Sequence, residues 1–127
     1  MKLWLGLILC TGYLLISTAK AEQWHIASPN GEINVQLELT ADALQYQVKF
    51  QQQPVIKASK LGLAFKNQAK LQSNLQVTKV TERQQDQSWQ PLWGQRATIR
   101  DNFREITLTL RETSDKARQL QLVFRVY

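Results

Sequence analysis

Asp101 and Glu105, with arginines repeated at the same spacing of four at Arg96, Arg100 and Arg104, are the nearest approach to a reactive constellation in this sequence. Two carboxylates can divide acid and base work on one bond in a hydrolysis, provided they stand about 5 to 9.5 Å apart. On a strand, a spacing of four separates them by about 13 Å at ~3.3 Å per residue, so pairing with cations on other segments accounts for them better than proton transfer. His25 is the only histidine and has no second imidazole to complete a ligand set, so it reads as a strand-surface side chain near Trp24. There is no phosphate loop, no zinc spacing and no nucleophile elbow.

The same run, Ser88 to Ile106, gathers Trp89, Pro91, Trp93, Gly94 and Asn102 around those charges. An exposed indole can stack on a sugar ring, with arginine, asparagine and aspartate side chains such as Arg100, Asn102 and Asp101 meeting the hydroxyls. It can equally fill a sandwich core or a domain interface, where tryptophan contributes a large buried area. Both roles stay open for Trp89 and Trp93.

The elements that must carry this run are strands. Ile33, Val35, Leu37 and Leu39 alternate with polar residues, and Leu44, Tyr46, Val48 and Phe50 resume the pattern after Thr40–Ala43, which predicts an antiparallel hairpin. Ser28-Pro29-Asn30-Gly31 is a turn signal before it. Pro54–Ile56 predicts a short edge strand, and Leu61, Leu63 and Phe65 alternate again. From Leu75 to Arg83 the apolar phase slips between Val77 and Val80, which predicts a bulge, and Gln84–Gln87 reads as a polar loop. Ile106, Leu108, Leu110 and then Leu120, Leu122, Phe124, Val126 give two further strands. No stretch holds a 3.6-residue apolar period over three turns. The expectation is an all-β antiparallel sandwich over 22–127, incomplete at its C-terminal end, where the chain stops inside a strand.

The first 21 residues differ. Met1-Lys2 opens with positive charge, Leu3–Ile16 is almost wholly apolar, and Ala19-Lys20-Ala21 places small residues before a cut, the pattern of a signal-peptide helix cleaved after Ala21. A membrane span needs about 20 apolar residues, and this run has 14. The expectation is a secreted or periplasmic protein with no membrane span after cleavage. Cys10 leaves with the leader, so the mature chain holds together without disulfides or thiolate metal sites. Removing Lys2 and Lys20 from the 16 basic residues leaves 14 against 10 acidic ones, a net charge of +4 without any basic run. That excludes a nucleic-acid footprint.

Residues 24 to 127 resemble the start of the N-terminal domain of glycoside hydrolase family 97, secreted α-glucosidases and α-galactosidases. Ser-Pro-Asn-Gly at 28–31 is similar to the family's opening, and Lys60-Leu61-Gly62-Leu63 to a family strand that follows a short proline-valine edge, here Pro54-Val55. Trp93-Gly94-Gln95-Arg96, then Ile99-Arg100, then Asp101-Asn102-Phe103-Arg104-Glu105-Ile106 resembles a segment reading Trp-Gly-Glu, Ile-Arg and His-Tyr-Asn-Glu-Leu. Phe103 stands where the family prefers tyrosine and Arg104 where it prefers asparagine. The resemblance implies part of a galactose-mutarotase-like β-super-sandwich, ahead of a (β/α)8 barrel that holds the catalytic carboxylates and a calcium ion. It places no catalytic or metal-binding residue on these positions and implies no cofactor in this chain. Trp89, Trp93, Arg96, Arg100, Asp101, Asn102 and Glu105 are then candidates to face the barrel or an α-linked oligosaccharide. Two other functions fit the same residues: a stand-alone carbohydrate-binding module, and a periplasmic interaction protein.

Overall fold

The alternating runs Ile33–Leu39 and Leu44–Phe50 pair antiparallel with Leu39 opposite Leu44 and Ile33 opposite Phe50. Thr40 closes the turn between them, its hydroxyl donating to the Ala43 carbonyl at 3.1 Å. In the computed structural model, which describes residues 21–93 and 97–127, these are β2 and β3 of seven strands. The others are β1 (Glu22–Ala27), β4 (Gln53–Leu61), β5 (Leu75–Trp89), β6 (Ile99–Glu112) and β7 (Gln119–Val126). Two antiparallel sheets result, ordered β1-β2-β3-β4 and β5-β6-β7. The predicted leader before Ala21 lies outside the described residues.

Period-two patterning decides which face of each sheet is buried. Val35, Leu37 and Leu39 of β2 meet Ile106, Leu108 and Leu110 of β6 in one cluster, joined by Ile26, Leu44 and Val126. Tyr46 on β3 and Phe124 on β7 touch across the gap with ring centroids 6.1 Å apart. Such a core rests on apolar area removed from water, at about 25 cal/mol per Å². The predicted all-β sandwich is the observed architecture.

Three local expectations change. The strand predicted over Leu61–Phe65 ends at Leu61; beyond it only Leu63 pairs, exchanging two backbone hydrogen bonds of 2.9 Å with Leu71. A strand at Glu22–Ala27 precedes the hairpin, because Trp24 and Ile26 supply a short apolar face opposite Leu37 and Val35. Gln84–Gln87 is not a loop. It continues β5, whose polar side chains find partners on β6. The bulge predicted between Val77 and Val80 falls between Val77 and Lys79.

A polar anchor holds the sheets' ends. Ser28 is fully buried; its hydroxyl accepts from the Ile33 amide at 3.0 Å, and Gly31 turns the chain back with φ of 76°. Glycine adopts that left-handed conformation without the steric cost a Cβ would bring.

Candidate functional site

β5 and β6 are much longer than β7. Pairing between β6 and β7 stops at Arg104 opposite Val126, whereas β5 and β6 stay paired to Trp89 opposite Ile99. Gln84–Trp89 and Ile99–Arg104 therefore form a two-stranded arm that extends past the third strand. Apart from Arg96, which lies outside the described residues, most of the candidate residues sit on this arm.

Alternation divides them between two faces. The inner face, on the side of the sandwich core, carries Arg100, Asn102 and Arg104 with Gln84, Asp86 and Ser88 opposite. The outer face carries Trp89, Asp101 and Glu105 together with Ile99 and Phe103. Arg100 and Asn102 are thus separated from Trp89 by the thickness of the sheet. Trp93 stands at the arm's tip beside Leu92, 86% and 92% exposed.

The charges are spent on pairing. On the inner face Arg100 forks onto Asp86, donating to its two carboxylate oxygens at 2.8 and 2.7 Å. That fork holds the Asp86 carboxyl below its usual range and raises the guanidinium. On the outer face Asp101 accepts from Gln85 Nε2 at 2.8 Å. Glu105 sits between two arginines, with Arg83 Nε at 3.4 Å and Arg125 at 2.6 Å. Hydrogen bonds to Tyr127, and then to Glu105, raise the Arg125 guanidinium. Asp101 and Glu105 are neighbours on one face, yet each is held by a different partner. The arrangement suits scaffolding, as the spacing predicts.

Phe103 is the residue that reading the motif for charge misses. It is 1% exposed although it points away from the core. Arg125 and Arg83 lie over its ring at 4.2 and 5.0 Å, and the Tyr127 ring stands 5.6 Å away. Cation–π contacts of this kind shield an aromatic with charged groups that stay partly wet. The signal was present in the sequence as a break of phase: Phe103 is out of step with Ile106, Leu108 and Leu110.

Where the arm leaves the sandwich, a half-open groove of about 490 Å³ runs beneath β1, lined by His25, Glu82, Gln84 and Arg104. His25 also borders a polar groove of about 310 Å³ with Gln36 and Gln47, which hydrogen-bond each other at 2.6 Å. Among the described residues no three histidine, cysteine, aspartate or glutamate side chains come together. The calcium ion that the resemblance implies would need ligands from elsewhere. No helix among the described residues is long and apolar enough to cross a membrane.

The family model described as "Glycosyl-hydrolase 97 N-terminal" matches residues 26–127. Among solved structures, a glycoside hydrolase family 97 enzyme from Pseudoalteromonas sp. strain K8, seen in complexes with panose and with acarbose, is similar at 27% identity and a TM-score of 0.75. The match covers 82% of this chain and 16% of that enzyme. A β-arabinopyranosidase shares the fold at 18% identity, with a TM-score of 0.68 over 81% of this chain and 16% of its own. The chain thus spans about one sixth of the solved enzymes that it matches.

Proposed function

This chain belongs to the glycosyl-hydrolase 97 N-terminal family, and we propose that it is the non-catalytic β-sandwich of a secreted enzyme acting on α-glucosides or α-galactosides, where it packs against a catalytic (β/α)8 barrel and helps to shape it. The observation that supports this most is the family match over 26–127, with a likeness to enzymes of which this sandwich is only a sixth. The arm agrees with it. Its carboxylates are engaged in ion pairs and hydrogen bonds, and its aromatics lie on a surface, as expected of a domain that positions a site built elsewhere. Export by the leader and a calcium ion in the barrel belong to the same proposal.

The test has two parts. Reading the coding frame past Tyr127 should reveal further strands and a barrel; a stop followed by cooperative folding of 22–127 alone would falsify the scaffold role. In the whole enzyme, Trp93→Ala should alter stability or turnover, and no change in either would remove the arm's tip from the proposal. A second reading, a carbohydrate-binding module, is favoured by the exposure of Trp93 at 86% and Trp89 at 50%. Retention of the 22–127 domain on insoluble α-glucan, lost in the double alanine variant, would move that reading ahead.

A further inference from the structure

The arm is amphipathic in the opposite sense to the sandwich it grows from. Along β6, Ile106, Leu108 and Leu110 bury the face turned to the other sheet. No register shift interrupts the pairing from Val80 to Trp89, so side chains keep alternating between the faces, and Phe103 and Ile99 fall on the other side with Trp89. The arm's inner face is Gln84, Asp86, Ser88, Arg100, Asn102 and Arg104, all polar. A strand pair selected only to project into water would have no reason to gather its apolar residues on one side. One selected to lie against the sandwich would gather them on the inner side.

We infer that the outer face of the arm, centred on Trp89, Ile99 and Phe103, is the surface that docks on the catalytic domain, while the inner face stays open to solvent. This rests on the reading of the chain as one domain of a larger glycoside hydrolase. Three observations select that occupant. A ribbon of two strands is marginal in water and needs a further layer, and the solved relatives hold roughly five sixths of their chains outside the matched region, in the same polypeptide. The face pairs aromatics with arginines, as the cores of protein interfaces do. Its four charges, Arg83, Arg125, Asp101 and Glu105, balance to zero and all are hydrogen-bonded or ion-paired within the face. Groups already satisfied in this way have little left to offer sugar hydroxyls, whereas a neutral apolar protein surface can cover them without stranding a charge.

The experiment uses cysteines placed singly in the full-length enzyme, since Cys10 in the leader is the only cysteine of this chain. Gln85→Cys and Gln87→Cys report the outer face, Gln84→Cys and Ser88→Cys the inner one. Maleimide labelling is followed by mass spectrometry of the peptide that carries each position. The expected result is outer-face labelling slower by about tenfold or more, as for groups reached only through local opening, with inner-face labelling fast. Equal, fast labelling on both faces of an active enzyme overturns the docking surface and leaves the proposed function standing. Protection of the inner face alone overturns it as well. Outer-face protection that vanishes on dilution, with a dimeric mass, assigns the face to a second copy and overturns it. Protection that appears only when maltooligosaccharide is added assigns it to sugar, with the same consequence. If the gene product holds no catalytic domain, the proposed function fails first and the docking surface falls with it.

Discussion

Arg118 holds Glu112 with two parallel hydrogen bonds, Nε to Oε2 at 2.8 Å and a terminal nitrogen to Oε1 at 2.9 Å. The same guanidinium donates to the carbonyls of Ala69 at 2.8 Å and Lys70 at 3.2 Å. One side chain thereby ties the β6–β7 turn to the connection that crosses from one sheet to the other. The fork from Arg118 pulls the Glu112 carboxyl from 4.5 down to about 2.

A carboxyl with a depressed pKa binds its proton less tightly when folded than when unfolded. Its contribution is complete above the unfolded value near 4.5 and is lost as pH falls towards about 2. Urea unfolding at a series of pH values should show the native protein losing stability through this window. Glu112→Gln should be less stable at neutral pH and lose less on acidification. Parallel pH curves for the two proteins would refute the linkage.

Ile106 is fully buried between the sheets, with half-buried Thr107 turned the other way. Ile106→Ala should cost about 2–5 kcal/mol, the range for emptying a packed aliphatic site. Thr107→Ala should stay within about 1 kcal/mol. Denaturation midpoints decide it, and similar losses at both positions would contradict the assignment of faces.

Gln51 and Gln52 form the two-residue turn between β3 and β4, both at positive φ, 46° and 67°. Turns of this shape favour Asn-Gly. Gln51 keeps a compensating hydrogen bond from its amide group to Glu32 at 2.9 Å. Gln52→Gly should therefore stabilise the protein by about 0.5–1 kcal/mol, the left-handed penalty less the added freedom of the unfolded chain. The reading is an upward shift in Tm; a downward shift would show that Gln52 makes a contact worth more than its strain.

Glu105 is largely covered, but its partners are not: the Arg83 and Arg125 side chains are 54% and 41% exposed. Ion pairs with that much water contribute little. Glu105→Gln should shift the denaturation midpoint far less than Ile106→Ala, and raising the salt concentration should shrink the difference further. An effect as large as that of the core substitution would mean that the two arginines depend on Glu105 to keep Phe103 covered.

The sequence made the central hairpin plain because β2 and β3 bury one face and wet the other, and burial of that kind writes a period of two into the residue types. The second sheet's core was legible for the same reason in Ile106, Leu108 and Leu110. The far half of β5 was not. Thr81 to Ser88 is polar on both faces, and its strand structure depends on pairing with β6 and on contacts such as Gln85 with Asp101, which no local pattern encodes. Among the candidate residues, spacing correctly set Asp101 and Glu105 on one face and pointed to partners on other segments. It could not supply those partners, since Arg83, Asp86 and Arg125 come from other strands.

β5 has one further consequence. It is fifteen residues long and lies at the outside of its sheet, so that half of its backbone donors and acceptors face away from β6. An edge of this length, rich in glutamine, is a template onto which another extended chain can add. Lys79, Glu82, Arg83 and Asp86 interrupt it, so that a second copy laid alongside would bring like charges into proximity in several registers. The polar residues that hid this strand from a hydrophobic pattern are thus also a guard against fibrous self-association.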